Sequence, residues 1–284
     1  MNDKVLAEFA AYQRAKGLSQ RTIDNRDYML RALGLAAGKP LLEVQVGDMR
    51  RRLGRGVKRG SMTTERDAYV AFFRFTAKEQ LRTDDPCERL EPIRRKRSVP
   101  RPYSQAQIDR LLTSGAYRRT RVMILLGVYQ GLRAGSIARI HGRDVDLSEN
   151  LLHVVGKGNK TATLPLHPLI REVALTMPAD DYWFPARGTN RGHIHSASVS
   201  DLLTRAKKRA GIEDDELTGH STRHTFGTEL VEAGVDIRVV QELMMHESLA
   251  STQIYTRVSA RKKAEGIQHL RPRPIPKHSG RRAA

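Results

Sequence analysis

The sequence predicts a mainly α-helical protein with a small antiparallel sheet, arranged as two domains. Apolar residues recur at helical spacing through residues 1–90, through 104–142 and again from Val199 onward. The pattern turns strand-like around 144–166, where two apolar runs flank a glycine-rich turn. A proline-bracketed basic run, Glu91 to Pro102, separates the two helical regions. The expected divisions are a helical domain over 1–90, a linker over 91–103, a second domain over 104–270 and a basic, disordered tail over 271–284.

In the first domain Val5, Leu6, Phe9, Ala10 and Tyr12 begin an amphipathic helix that stops at Gly17. Ser19 is the N-cap of the next, with Ile23, Tyr28, Leu30, Leu33 and Leu35 as its apolar positions. A short helix carries Val46, Met49 and Leu53 and ends in Gly54-Arg55-Gly56. The fourth buries Tyr69, Phe72, Phe73 and Phe75 and leaves Arg66 and Arg74 elsewhere. Such pieces pack as a four- or five-helix bundle.

The linker carries Arg94, Arg95, Lys96 and Arg97 between prolines, an extended strap suited to a phosphate backbone. Ser104 and Gln107 form a capping box that opens the second domain. Leu111, Leu112, Met123, Leu125, Leu126 and Val128 are its core candidates. Leu151–Val155 and Thr161–Leu164 read as a hairpin with Gly156 to Lys160 at its tip, and a third strand is expected at Val145 or at Tyr182–Phe184. Helices resume with Val199, Leu202, Leu203 and Ala206, whose basic face is Arg205, Lys207, Lys208 and Arg209. Further helices cover Phe226–Val231, Ile237–Met244 and Ile254–Val258.

Composition narrows the function. Fifty Lys and Arg against 31 Asp and Glu give a net charge of +19, which implies a polyanionic partner. No apolar run approaches the roughly 20 residues that span a bilayer, and the start lacks the apolar segment of a signal peptide. The single cysteine, Cys87, excludes an internal disulfide and a multi-cysteine zinc site, and is expected to be a small packed residue. A reducing, cytoplasmic location is expected. His193 and His195 lack an accompanying acid or cysteine cluster, and His246-Glu247 lacks the second histidine of a zinc-protease helix, so no metal site is expected.

The chemistry-bearing residues are Arg133 after Gly131-Leu132, Lys157 at the hairpin tip, His220 and Arg223 on one helical turn, His246 and Tyr255. His224 is expected to pack elsewhere. Arginines can neutralise the non-bridging oxygens of a phosphodiester, a lysine can protonate a leaving alkoxide, and a tyrosine can attack. A free phenol is about one part in a thousand ionised at pH 7, a deficit of about 4 kcal/mol that only a cationic pocket or a nearby base offsets.

In this ordered set the chain resembles the tyrosine recombinases, the family of phage integrases and Xer-type recombinases. The resemblance covers nearly the whole chain, with Leu18 to Ala77 similar to the core-binding helical domain and the second domain similar to the catalytic domain. Arg133 matches the first catalytic arginine, Lys157 the hairpin lysine, and His220 and Arg223 the His-x-x-Arg box. His246 matches the histidine-or-tryptophan position, and Thr252 to Thr256 the nucleophile segment. There are two departures: Ser136 stands where the family commonly has an acid, and Met245 where it often has glycine. The core-binding-like helices begin almost at Met1, so a separate arm-site domain is not expected.

The resemblance implies site-specific DNA recombination without cofactor, metal or nucleotide. Tyr255 would form a 3′-phosphotyrosyl link. Arg133, Arg223 and His246 would hold the phosphate, His220 would assist proton transfer at the tyrosine oxygen, and Lys157 would protonate the leaving 5′-oxygen. Double-stranded recombination sites are the expected partner, bound by a homotetramer on synapsed DNA that is monomeric in free solution. A directionality factor is a further candidate partner. Lys58, Arg59, Arg66, Arg94, Arg95, Lys96, Arg97, Lys207 and Lys208 are the candidate DNA contacts. A compact phage-type integrase is the main reading, and a host Xer-like resolvase the runner-up. Type IB topoisomerases and telomere resolvases use related chemistry without pairing two sites. A catalytically silent DNA-binding regulator is the alternative of another class.

Overall fold

The computed structural model describes residues 2–94, 101–156, 161–187 and 192–246. Arg95, Lys96, Arg97, Lys157, Tyr255, the helix expected at Ile254–Val258 and the tail 271–284 lie outside the described residues. The fold divides into two units, Met1–Ser98 and Val99–Ala284.

The first unit packs α1 (Asn2–Ala15), α2 (Gln20–Ala37), α3 (Val46–Leu53) and α4 (Arg59–Lys78), with short 3-10 turns at Leu41–Glu43 and Pro86–Arg89. Ser19 caps α2 as expected, its side chain accepting from the Thr22 N–H. The core joins Phe9 of α1, Leu30 and Leu33 of α2, Met49 of α3 and Tyr69, Phe72 and Phe73 of α4. Phe9 meets Phe72 edge-on, with ring centroids 5.4 Å apart. Each such buried side chain contributes roughly 1.5–3 kcal/mol over an exposed one. Tyr28 and Leu35 depart from the expected core face, being 72% and 86% exposed. They lie seven residues apart on one stripe, and α2 turns the opposite stripe, Ile23 and Leu30, inward.

Glu65 of α4 lies inside this unit, bonded by Arg55 and by the Tyr69 hydroxyl at 3.0 Å. Burial pulls its carboxyl upward, but Arg55, Tyr69 and Arg52 outweigh that and hold it below its usual range. Arg66 is half-buried and donates to the carbonyls of Glu91 at 2.8 Å and Leu90 at 3.0 Å, tying α4 to the start of the linker. Cys87 is packed as expected, its thiol 3.7 Å from Met49 Sδ and pushed up to about 12, chiefly by burial.

In the second unit Ser104 and Gln107 form the expected capping box on α5 (Gln105–Thr113). Next come α6 (Arg118–Tyr129) and α7 (Ala134–Arg139). A three-stranded antiparallel sheet follows, β1 (Val145–Asp146), β2 (Leu151–Val155) and β3 (Thr161–Pro165), ordered β1-β2-β3. The third strand is therefore at Val145, and Tyr182 makes only an isolated bridge to His141. Leu152 pairs with Leu164, which turns both toward the helices. Then come α8 (Pro168–Ala174), α9 (Ser196–Arg209), α10 (Ser221–Glu232) and α11 (Ile237–Leu243). The core gathers around α6, where Met123, Ile124 and Leu126 are fully buried, while Leu112 and Leu125 are only partly covered.

Lys207 of α9 overturns its assignment to the outward basic face. It is 7% exposed, and its ammonium donates to the carbonyls of Asp214 at 2.8 Å and Leu217 at 3.1 Å. A buried ammonium needs such acceptors, and these fasten α9 to the loop that leads into α10. Its neighbour Lys208 stays exposed.

Candidate active site

α6 ends at Tyr129, and the chain reverses over Gln130–Leu132 to start α7. Gly131 is left-handed at φ 61°, and a Cβ there would run into the Phe226 ring of α10. Glycine alone meets both demands. The Leu132 N–H closes the turn onto the Leu126 carbonyl at 3.1 Å. Arg133 thereby occupies the N-cap of α7, with ψ 152° and a partly buried side chain.

α10 brings the second arginine. His220 stands at its N-cap and Arg223 in its first turn. The helix lies so close to α6 that a Cβ at Gly127 would fall on the Thr222 side chain. Arg223 is 1% exposed, and its guanidinium donates to the carbonyls of Gly131 and Met244. Arg133 Nη1 reaches the carbonyl of Met245 at 3.5 Å. The last carbonyls of a helix have no partner within it and carry the negative end of its dipole. Here the two carbonyls just past α11, those of its C-cap Met244 and of Met245, accept from the two guanidiniums.

Met245 takes φ 48°, a left-handed conformation that costs an L side chain roughly 1–2 kcal/mol. Its side chain packs against the main core. This explains how a methionine holds a position suited to glycine. The turn presents His246, whose N–H donates to the Gln241 carbonyl at 3.0 Å while the Gln241 amide returns to the His246 carbonyl at 3.1 Å. The other departure, Ser136, donates from Oγ to the carbonyl of Val155 at 3.3 Å and ties α7 to the end of β2. An ionised acid could not make this bond, because it only accepts.

The electrostatics fit an anion site. Burial, then Arg223 and Arg133, holds the His220 imidazole below its usual range. Burial, then the same arginines and the other two histidines, lowers His246 to about 4. His224 also falls to about 4, through burial and then His220 and Arg223. Its ring stands edge-on to His220 at 4.6 Å, so it belongs to this cluster and does not pack elsewhere as the sequence suggested. At neutral pH the site therefore holds two permanent cations and three neutral imidazoles, able to donate and accept around a phosphate. Among the described residues no group of His, Cys, Asp or Glu could hold a metal ion.

Of the residues singled out from sequence, the structure brings together Arg133, His220, Arg223 and His246. Lys157 and Tyr255 lie outside the described residues, as do Arg95, Lys96 and Arg97. Lys58, Arg59, Arg94 and Lys208 are exposed. What sequence reasoning missed were the acceptors of the guanidiniums, which are main-chain carbonyls, and the place of His224. The i, i+4 spacing of His220 and His224 was the available signal for the latter.

The model of the phage integrase family matches residues 103–262. The tyrosine recombinase XerA of Thermococcus kodakarensis is 31% identical over 95% of this chain and 93% of its own. XerD of Caulobacter vibrioides is 32% identical over 77% of each. The solved integrase from mycobacterium phage Brujita is 40% identical over 95% of this chain and 94% of its own, with a TM-score of 0.50. A lambda integrase dimer bound to a COC′ core site is 18% identical with a TM-score of 0.72, covering 88% of this chain and 96% of its own, and speaks to the fold alone. With a matched family model over more than half its length and recombinase relatives across nearly all of it, the chain belongs to the phage integrase family of tyrosine recombinases.

Proposed function

We propose that this site-specific recombinase cuts DNA through Tyr255, forming a 3′-phosphotyrosyl link and freeing a 5′-hydroxyl. The observation that carries the reading is the convergence of Arg133 and Arg223 on the adjacent carbonyls of Met244 and Met245, with His246 next in the chain. Two guanidiniums fixed before substrate arrives are suited to the charge that grows on a pentavalent phosphate. His246 joins them on the phosphate. His220, held neutral, accepts the phenol proton as Tyr255 attacks, and Lys157 protonates the departing 5′-oxygen. The ester conserves the energy of the broken bond, so rejoining needs no nucleotide.

Tyr255→Phe with a nicked duplex is the test. Wild type traps a covalent adduct and the variant does not; an adduct on the variant would show that another residue attacks. Sequencing the trapped fragments gives the target site.

The finer reading is a phage-type integrase, supported by the 40% identity to the Brujita enzyme, with a host Xer-like resolvase favoured instead by the 31% identity to XerA. The enzyme works in the cytoplasm, monomeric when free and tetrameric on two synapsed sites, with a directionality factor as an accessory partner. A lambda integrase tetramer has been solved on a Holliday junction. Ser259 to Ile267 is the segment passed to a neighbouring protomer. Truncation after Val258 then damages synapsis more than binding.

A further inference from the structure

A basic concavity lies in the same unit as the candidate active site. It is a cleft of about 540 Å³ between the start of α6, the loop before α9 and the first turns of α9. Arg119, Arg187 and Arg205 line it, with His193 and His195, and Asp201 is its only acid among the described residues. The Arg119 guanidinium is set in place: Nη2 donates to the Pro185 carbonyl at 3.0 Å, the group lies 6.0 Å from the Phe184 ring centroid, and Nε is buried without a partner among the described residues. Burial and then the charge of Arg187 hold Arg119 below its usual range. Arg187 and Arg205 are exposed, and neither forms an ion pair among the described residues. Three guanidiniums held around one hollow repel each other, and an anion placed among them relieves that repulsion.

The helix that forms one wall of the cleft starts against α7, which Arg133 opens. Arg133 and Gly135 are two residues apart, so their Cα atoms are separated by at most about 7.6 Å, two trans-peptide steps. A Cβ built at Gly135 would sit 4.0 Å from Ser196 Cβ, at the start of the helix that forms the cleft wall. Duplex DNA presents a phosphate on each strand about every 3.4 Å along its axis. A backbone with one phosphate at Arg133 thus has further phosphates available to a site along α9.

We propose that the Arg119–Arg187–Arg205 cleft binds the DNA phosphodiester backbone next to the scissile phosphate, and so fixes which phosphate reaches Arg133. The assignment rests on the recombinase reading and extends it. Lys207, on the same helix, is turned inward and cannot serve, so Arg205 is the outward cation of α9 nearest the cleft.

The test uses the full chain carrying Arg187→Gln and Arg205→Gln, both at exposed positions, and the nicked duplex that traps the adduct. Anisotropy titrations over a salt series give the slope of log K against log salt. Two lost phosphate contacts reduce its magnitude by about 1.8. Neutral methylphosphonates are then placed one at a time beside the scissile phosphate. At the contacted position the replacement weakens wild type and leaves the double variant unchanged. An unchanged slope, with a wild-type melting temperature, overturns the proposal. If base-pair discrimination falls while the slope holds, the arginines read base edges. If only synapsis falls, the cleft receives another protein segment. Either of these results also overturns it. Should wild type form no adduct at all, the recombinase reading is what fails; an adduct with an unchanged slope sinks the cleft alone.

Discussion

Gly127→Ala tests whether the active site is set by how closely two helices approach. On helix propensity the change should stabilise α6 by about 0.5–1 kcal/mol. Contact geometry works against it. A Cβ at position 127 would lie 2.7 Å from Thr222 Cβ and nearer still to its hydroxyl. Carbon atoms pack at roughly 3.5–4.0 Å, so α6 and α10 must part by about 1 Å. Overpacking of this kind costs about 1–3 kcal/mol, which offsets or exceeds the propensity gain. Thr222 immediately precedes Arg223, so the displacement falls on the guanidinium that bonds Gly131 and Met244. A shift near 1 Å in a positioned group can slow reaction roughly 10²-fold. Single-turnover formation of the covalent adduct should fall by that order, while duplex affinity stays near wild type and the melting temperature is level or lower. Thr222→Ala in the same chain removes the hydroxyl contact but keeps the 2.7 Å approach, and should restore little. A Gly127→Ala enzyme that cleaves at the wild-type rate, or full rescue by Thr222→Ala, would refute the reasoning.

Arg223→Lys should reduce adduct formation about 10²-fold or more, because a single ammonium nitrogen cannot span the two carbonyls that separate guanidinium nitrogens reach and still present a fork to phosphate, and charged hydrogen bonds contribute about 1.5–3 kcal/mol each; rate measurement at saturating DNA checks it, and near-normal rates would count against two-point anchoring. Glu65→Ala should lower the stability of the first unit by roughly 3 kcal/mol, since Arg55 and the Tyr69 hydroxyl lose their acceptor; urea unfolding reads this, and a change below about 0.5 kcal/mol, as at ordinary surface sites, would contradict it. His220, His224 and His246 all sit below their usual range when folded, the last two at about 4. The unfolded chain therefore binds more protons below about pH 6.5, so stability is complete above that value and declines as pH falls toward 4. Melting temperatures across that window should drop, and less steeply in His224→Gln; identical slopes would oppose the burial of neutral imidazoles.

The fold class was legible because helical and strand spacings leave different traces, and the capping box at Ser104 marked the opening of the second unit. Tyr28 and Leu35 misled because an apolar residue on the outer stripe of α2 keeps the same helical period as one on the inner stripe. Lys207 misled for a related reason: a basic residue reads as outward until the carbonyls of Asp214 and Leu217 are seen to enclose it. In the site, the side chains that carry charge could be picked out, and Arg133, His220, Arg223 and His246 do meet. Their supports could not be picked out. A carbonyl has no signature in the sequence, and the left-handed turn at Met245 is written with a residue that normally avoids it.

The acceptors at Gly131, Met244 and Met245 belong to the peptide chain itself, so no side-chain replacement can delete them. At 245 evolution can exchange the amino acid, as a methionine in place of a glycine illustrates, without removing the main-chain acceptor of a guanidinium, whereas 131 stays glycine for its turn and for the Phe226 ring. Such a pocket is more vulnerable to displacement than to spelling. Natural variation along the 244–245 segment should thus be limited by packing and turn geometry, not by hydrogen bonding, and should be narrow at remote contacts, such as Gly127, that keep the two helices in register.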